Sequence, residues 1–415
     1  MNPNFVTKSF CACCNNTNLS EVYNFGNVPL AGNYILKDEI YVQYPLSISF
    51  CDVCLHLQVD QYVNSNILFK DYRYMSGYSM KSHFEDYIKK LKNRFVNFAN
   101  FKTIEIGSND GTFLGLLQSN CKNAIGFEPS DNISKISKGK GNNVINDFFT
   151  LTTVEKNKIN PDSIDLITAS NCFAHISEID EILTAVNYLL KPESGTFIIE
   201  VHYTPNLIDQ LQYDFIYHEH MYYYSLSSLK ALLNRNGLEI YDYEFIPVHG
   251  GSIRVYSKKS NYNVINSNIN NLLAKELKFY ETTIINKNFS SKINNHINEA
   301  NLYFEQLKND NNLIIGFGAS GRVNAFLNYI NIKPNLIDSI FDESPERINR
   351  FIPKVNIPIK EFKKDIIYNF DTMYLSAWNF SEQILSKISN CNYSKSIKFF
   401  PKIELKNNEN FNSRS

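Results

Sequence analysis

Apolar positions between residues 100 and 256 fall in short runs, and the stretches between those runs carry helical spacing. Runs at 103–106, 124–127, 164–169 and 196–201 have the length of strands. After the first run, Phe113, Leu114, Leu116 and Leu117 take the spacing of one helix face. This alternation is βαβ grammar and predicts a mostly parallel sheet. Residues 1–70 differ. Leu46-Ser47-Ile48-Ser49-Phe50 alternates with period two, which predicts a small β-rich module. Residues 257 to about 310 are rich in Asn and Lys, with helical apolar spacing and no strand signal, and predict a helical connector. Strand signals resume at Leu313-Ile314-Ile315, end a second time at Ile340-Phe341-Asp342, and recur at 372–375, predicting a shorter α/β unit. The expected organisation is an α/β chain of three domains, at 1–70, 71–256 and 257–415.

Length supports several domains, since 415 residues exceed what a single core organises. Basic and acidic residues nearly cancel, 41 against 42. No basic field points to nucleic acid, and no apolar run of about 20 residues points to a membrane span. The N-terminus lacks the basic start and apolar stretch of a signal peptide, so the cytoplasm is the expected compartment; a monomer is the expected state. Thiols stay reduced there, so the eight cysteines read as metal ligands or core residues. Aromatic content is high, at 14% with 26 Tyr, and follows a general bias toward Asn, Lys, Ile and Tyr.

Four of those cysteines make two C-x-x-C pairs, Cys11 with Cys14 and Cys51 with Cys54. Two such knuckles supply four thiolates to one structural Zn²⁺, and a module this small needs a metal staple. Cys13 is the one competitor for a ligand place. Further on, Glu105-Ile106-Gly107-Ser108-Asn109-Asp110-Gly111 turns from the first strand into a helix. A second acid, Glu128, ends the next strand, where it can accept from a ribose. The spacing E-x-G-x-x-x-G resembles the S-adenosylmethionine loop of class I methyltransferases. Asn171-Cys172-Phe173-Ala174-His175 follows the third strand at the same sheet edge.

Tyr217-His218-Glu219-His220 is dense in groups that exchange protons. Histidine titrates nearest working pH, and an adjacent Glu can fix its tautomer or raise its basicity. The H-E-x-x-H metalloprotease spacing is absent. Three other segments compete for a role: 72–79, which could close over a site; His249-Gly250-Gly251-Ser252-Ile253-Arg254, a glycine turn before a strand with Arg254 pointing in or out; and Gly316-Phe317-Gly318-Ala319-Ser320-Gly321. The last is a formal G-x-G-x-x-G with Asp342 about 20 residues on, and supports an alternative reading as a nicotinamide-dependent oxidoreductase. A non-catalytic zinc-module scaffold is the third reading.

Taken in order, these motifs resemble the sugar C-methyltransferases that act on C-3 of nucleotide-linked ketosugars. Gly26-Asn27-Val28-Pro29-Leu30-Ala31-Gly32-Asn33 and Ser376-Ala377-Trp378-Asn379-Phe380 extend the match over nearly the whole chain. The resemblance implies a zinc-binding N-terminal domain, a Rossmann-like methyltransferase domain and a C-terminal α/β domain for the nucleotide sugar, with the active cleft between the last two. It implies His220 as catalytic base, with Glu219, Tyr217, His175 and Tyr74 around the reaction centre. It places S-adenosylmethionine on Glu105, Gly107, Asn109 and Gly111, with Glu128 at the ribose and Asn171 nearby. Where the family often carries a lysine-glycine pair, this chain reads Ser320-Gly321-Arg322, so phosphate binding at Arg322 stays open.

Overall fold

The computed structural model describes residues 4–69, 77–260, 267–309 and 312–408. They form two compact units, and the chain passes between them more than once. The first gathers Met1–Ser20, Ser49–Pro205 and Met221–Tyr280; the second gathers Glu21–Ile48, Asn206–His220 and Glu281–Ser415. No helix among the described residues is long and apolar enough to cross a membrane.

The first unit is built on a seven-stranded sheet: β1 (Lys102–Ile106), β2 (Asn123–Phe127), β3 (Val144–Ile145), β4 (Leu166–Ser170), β5 (Thr196–His202), β6 (Leu238–Ile246) and β7 (Ser252–Lys259). Their order is β6-β7-β5-β4-β1-β2-β3. The first five strands are parallel, while β7 runs antiparallel to both β5 and β6. Strand order reverses between β1 and β4, and in open α/β sheets the ligand crevice lies beyond the strand ends at such a point.

Helix α1 (Gly77–Arg94) and helix α2 (Thr112–Asn120) pack apolar faces against the sheet. Phe84, Tyr87 and Leu91 of α1 meet Phe113, Leu114 and Leu117 of α2 in one core, with Leu166 and Ile198. The rings of Phe84 and Tyr87 each lie 4.9 Å from that of Phe113, in stacked geometry. Helix α3 (Asp131–Gly139) follows β2. Helices α4 (Leu151–Lys156) and α5 (Ile179–Leu189) come next along the chain, followed by α6. It spans Leu226–Arg235 and opens with a capping box between Ser225 and Ser228. Glu276 of α7 (Ser267–Tyr280) accepts from the Leu226 and Ser227 amides, each at 2.8 Å. The acid thereby satisfies helix-end donors that would otherwise be buried unpaired.

The second unit carries its own seven-stranded sheet: β8 (Ile314–Phe317), β9 (Ser339–Asp342), β10 (Phe351–Ile352), β11 (Ile357–Glu361), β12 (Thr372–Tyr374), β13 (Lys395–Lys398) and β14 (Glu404–Asn407). The order is β10-β11-β9-β8-β12-β13-β14, parallel in the middle with an antiparallel strand at each edge. Helices α8 (Asn288–Asn309), α9 (Gly321–Tyr329) and α10 (Ser381–Lys387) belong to it. Residues 30–34 pack on α9: Asn324 donates to the Ala31 carbonyl at 2.9 Å, and the Tyr34 hydroxyl to the Ala319 carbonyl at 2.6 Å.

Candidate functional site

The four paired cysteines converge in the first unit. Cys11 Sγ lies 3.4 Å from Cys54 Sγ, Cys14 Sγ lies 3.5 Å from Cys51 Sγ, and all four sulfurs fall within 4.8 Å of one another. Sulfurs bound tetrahedrally at about 2.3 Å from zinc stand about 3.8 Å apart, so the cluster fits the ion. The knuckle is braced by Arg235, whose guanidinium donates to the Ala12 carbonyl at 2.9 Å. Cys13 is buried but stands outside the group of four, and burial pushes its thiol well up. Four thiolate ligands leave no open coordination position, so the zinc of this chain is structural.

The loop after β1 turns through two glycines in the left-handed region, Gly107 at φ 66° and Gly111 at φ 77°. A Cβ on Gly107 would stand 2.7 Å from Cys172 Cβ, and one on Gly111 would stand 2.2 Å from Ser137 Oγ. Close packing and backbone sign both require glycine there. Asn109, also left-handed at φ 49°, gives its amide to Glu128 Oε2 at 2.9 Å. Ser130 gives its amide to Glu128 Oε1, also at 2.9 Å. Glu128 thus latches the loop through both of its oxygens. Burial raises its carboxyl, with these amide bonds opposing.

Glu105 is buried beneath the loop, and one of its oxygens has no hydrogen-bond partner among the described residues. Burial, then repulsion from Glu128 and Asp110, pushes its carboxyl well above the usual range. Two buried acids beside an amide-lined turn suit the cationic, hydroxyl-bearing S-adenosylmethionine. Asn171 sits at backbone φ 56°, its amide donates to the Glu200 carbonyl at 2.8 Å, and its side chain reaches Glu200 Oε1 at 3.3 Å. Cys172 Sγ donates to the Ile106 carbonyl at 3.0 Å. His175 ends the short turn that follows, half-buried, with its amide on the Cys172 carbonyl at 2.9 Å. Tyr74, with residues 70–76, lies outside the described residues.

Tyr217, Glu219 and His220 come together in the second unit. His220 Nδ1 is 2.9 Å from the Phe215 carbonyl, and the Tyr217 hydroxyl is 3.1 Å from His220 Nε2. A carbonyl can only accept, so Nδ1 carries the proton and Nε2 is the basic nitrogen. That backbone carbonyl fixes the tautomer, one of the two roles the sequence leaves open to the adjacent Glu219. Glu219 Oε1 accepts instead from the Gly32 amide at 3.1 Å, and burial raises its carboxyl. His218 donates from Nε2 to the Pro45 carbonyl at 3.2 Å, and burial holds it down at about 4. Neither His218 nor His220 belongs to a metal-holding group among the described residues.

Two segments left open by the sequence resolve differently. Arg254 points inward and is fully buried, paired with Glu200 Oε2 at 2.7 Å and Glu244 Oε1 at 2.8 Å. His83 Nε2 meets the other Glu200 oxygen at 2.6 Å. The glycine turn before β7 therefore leads into a core ion pair. The 316–321 loop packs tightly on its own chain at one point. A Cβ on Gly318 would stand 2.6 Å from Ala377 Cβ, and with φ at 92° the position requires glycine. Asp342, placed for a ribose, accepts from the Ala319 amide at 2.6 Å and the Ser344 amide at 2.8 Å. Beside it opens a cavity of about 260 Å³ lined by Phe317, Asp342, Phe380 and Lys387, among others.

Sequence reasoning missed the partners of Asp214. Arg322 donates to both its oxygens, Nε to Oδ2 and Nη2 to Oδ1, each at 2.9 Å, and Trp378 Nε1 donates to Oδ2 at 2.9 Å. No local pattern links residues 214, 322 and 378.

Three family models match the chain in order. The one described as "Putative zinc binding domain" covers residues 11–69, a methyltransferase domain covers 80–243, and a C-methyltransferase C-terminal domain covers 247–401. The C-methyltransferase NovU of Streptomyces niveus is 27% identical over 383 residues, spanning 90% of this chain and 91% of its own. Among solved structures, the magnesium protoporphyrin IX methyltransferase of Synechocystis PCC 6803 with bound SAH is 11% identical, with TM-score 0.33, over 43% of this chain and 83% of its own. An S-adenosylmethionine-dependent methyltransferase of Mesorhizobium loti is 14% identical, with TM-score 0.34, over 41% and 96%. With its thiol cluster, its glycine turn after β1 and these three domains in sequence, the chain belongs to the S-adenosylmethionine-dependent C-methyltransferases that carry a zinc-binding domain.

Proposed function

We propose that this C-methyltransferase acts on a nucleotide-linked 4-keto sugar and methylates the ring carbon next to the ketone, C3. The observation that carries the reading is the fixed tautomer of His220, which leaves Nε2 as a proton acceptor held by Phe215 and Tyr217. A ketone acidifies the hydrogen on the neighbouring carbon. His220 Nε2 takes that proton, the C–H electron pair moves into the ring, and the ketone oxygen becomes an enolate. The Phe215 carbonyl then stabilises the imidazolium through Nδ1–H. A hydroxyl donor such as Tyr217 stabilises charge on the enolate oxygen. Bound S-adenosylmethionine supplies an electrophilic methyl group on a sulfonium. The enolate carbon needs to stand about 3–3.5 Å from it for transfer.

In this reading residues 1–70 form the zinc domain, 71–256 hold the methyl donor, and 257–415 bind the nucleotide sugar. The cavity beside Phe317 and Asp342 would take the nucleoside. The test is incubation with labelled S-adenosylmethionine and dTDP- and UDP-linked 4-keto sugars. The native chain is expected to transfer label, and His220→Asn to lose roughly 10²-fold or more in kcat. A fully active His220→Asn removes His220 as the base. Transfer to none of the 4-keto sugars removes the substrate class.

A further inference from the structure

We infer that Arg322 is a positioning residue for the His220 turn rather than a reader of substrate phosphate; the catalytic part of this inference rests on His220 being the base. Arg322 is the second residue of α9, where the sequence left a phosphate-binding cation open. Its guanidinium is already committed. Nε and Nη2 fork onto the two oxygens of Asp214, each at 2.9 Å, and Asp214 is 1% exposed. Two aromatic rings lie against the cation, with the guanidinium carbon 4.3 Å from the Phe215 centroid and 4.5 Å from that of Trp378. A planar fork that also stacks is a role lysine cannot copy.

Phe215 carries the position of Arg322 to the imidazole. One side of its ring faces the guanidinium. The same ring stacks on His220, with centroids 5.0 Å apart at 21°, and the Phe215 carbonyl fixes the His220 tautomer at 2.9 Å. Phe215 therefore contacts both Arg322 and His220, with a hydrogen bond across the second of these contacts. The helix holds the turn at a second point: the Tyr329 hydroxyl donates to the Ile216 carbonyl. Residues 322 and 329 lie two helical turns apart on one face of α9. Trp378 completes the grip through its bond to Asp214.

Trp378 is the only tryptophan in the chain, so its fluorescence reports on the clamp without any ligand. The experiment compares native protein with Arg322→Lys, Arg322→Ala and Phe215→Leu, using the affinity for S-adenosylmethionine as the check that each variant is folded. Three quantities are read: Trp378 emission, the rate at which diethyl pyrocarbonate modifies His220 by mass spectrometry, and methyl transfer to a dTDP-linked 4-keto sugar. The clamp predicts that both Arg322 variants shift the emission and change the His220 modification rate about three-fold or more. It also predicts a kcat lower by about ten-fold or more with the acceptor KM little changed, since a misplaced base loses rate and not binding. Phe215→Leu is expected to reproduce the kcat and modification effects. Unchanged emission and modification rate overturn the inference. So does an acceptor KM raised about ten-fold at unchanged kcat, which is the mark of a phosphate contact. The emission and modification readouts need neither an acceptor nor the base assignment. Failure of the proposed function, seen as a fully active His220→Asn or no transfer to the sugar, is thus separate from failure of the clamp.

Discussion

Two histidines two residues apart illustrate how single side chains divide the work. His220 is half-buried and keeps an acceptor nitrogen, while His218 is buried and held at about 4. The unfolded chain binds a proton at His218 below about pH 6.5, and the folded chain binds it only near 4. The unfolded state therefore holds more protons in that window, and stability falls as pH drops from about 6.5 to about 4, by up to about 1.4 kcal/mol per pH unit. Urea midpoints of the second unit, followed by Trp378 fluorescence, should decline over that range in native protein and decline less in His218→Gln. Gly107 makes a second residue-level case. With φ at 66° and Cys172 Cβ 2.7 Å from where its own Cβ would be, Gly107→Ala should strain the loop after β1. We expect its affinity for S-adenosylmethionine to fall about ten-fold or more in calorimetric titration.

At the scale of elements, β5 and β7 are joined by more than their ladder. Glu200 and Arg254 face each other in register with both side chains buried, and Arg254 lies 3.4 Å over the Tyr87 ring of α1. Burial alone would raise the Glu200 carboxyl, but the bonds from His83 and Arg254 hold it below its usual value. Removing one partner leaves the other charge buried and uncompensated, so Arg254→Ala should cost about 3–5 kcal/mol in denaturant unfolding. The same variant should also weaken the donor site, because Glu200 supports Asn171. The strands that place this pair were legible in part. The apolar runs ending at 106, 127, 169 and 201 correspond to β1, β2, β4 and β5 within one residue or so. Edge strands such as β3 and β10 have two residues each and carry no periodicity to read. The antiparallel placement of β7 depends on its neighbours, not on its own residues.

At the scale of the whole molecule, the zinc cluster draws on residues 11–14 and 51–54, two points that only the fold or the metal can hold together. Chelation by excess EDTA under reducing conditions, or Cys51→Ser, should lower the thermal midpoint of the first unit by several degrees, since metal affinity adds directly to folding free energy. Restoring Zn²⁺ should recover the native protein and not Cys51→Ser. An unchanged midpoint after verified zinc loss would separate the cluster from stability.

The sequence by itself determined what is local. Each C-x-x-C pair and the glycine-spaced turn after an apolar run lie within a few residues, where spacing sets geometry directly, and the order of motifs is read along the chain without any contact between them. It therefore yielded the zinc cluster and the C-methyltransferase assignment. Only the tertiary structure decided which distant groups meet. Asp214 takes Arg322 and Trp378 as partners, Glu128 spends an oxygen on the Asn109 amide, and Ala377 fills the space facing Gly318. Residues 21–48 and 206–220 join the C-terminal unit rather than their chain neighbours. The physical reason is that hydrogen bonding and packing act over ångströms in space while being blind to separation along the chain, so a cation's role is fixed by the carboxylate that reaches it.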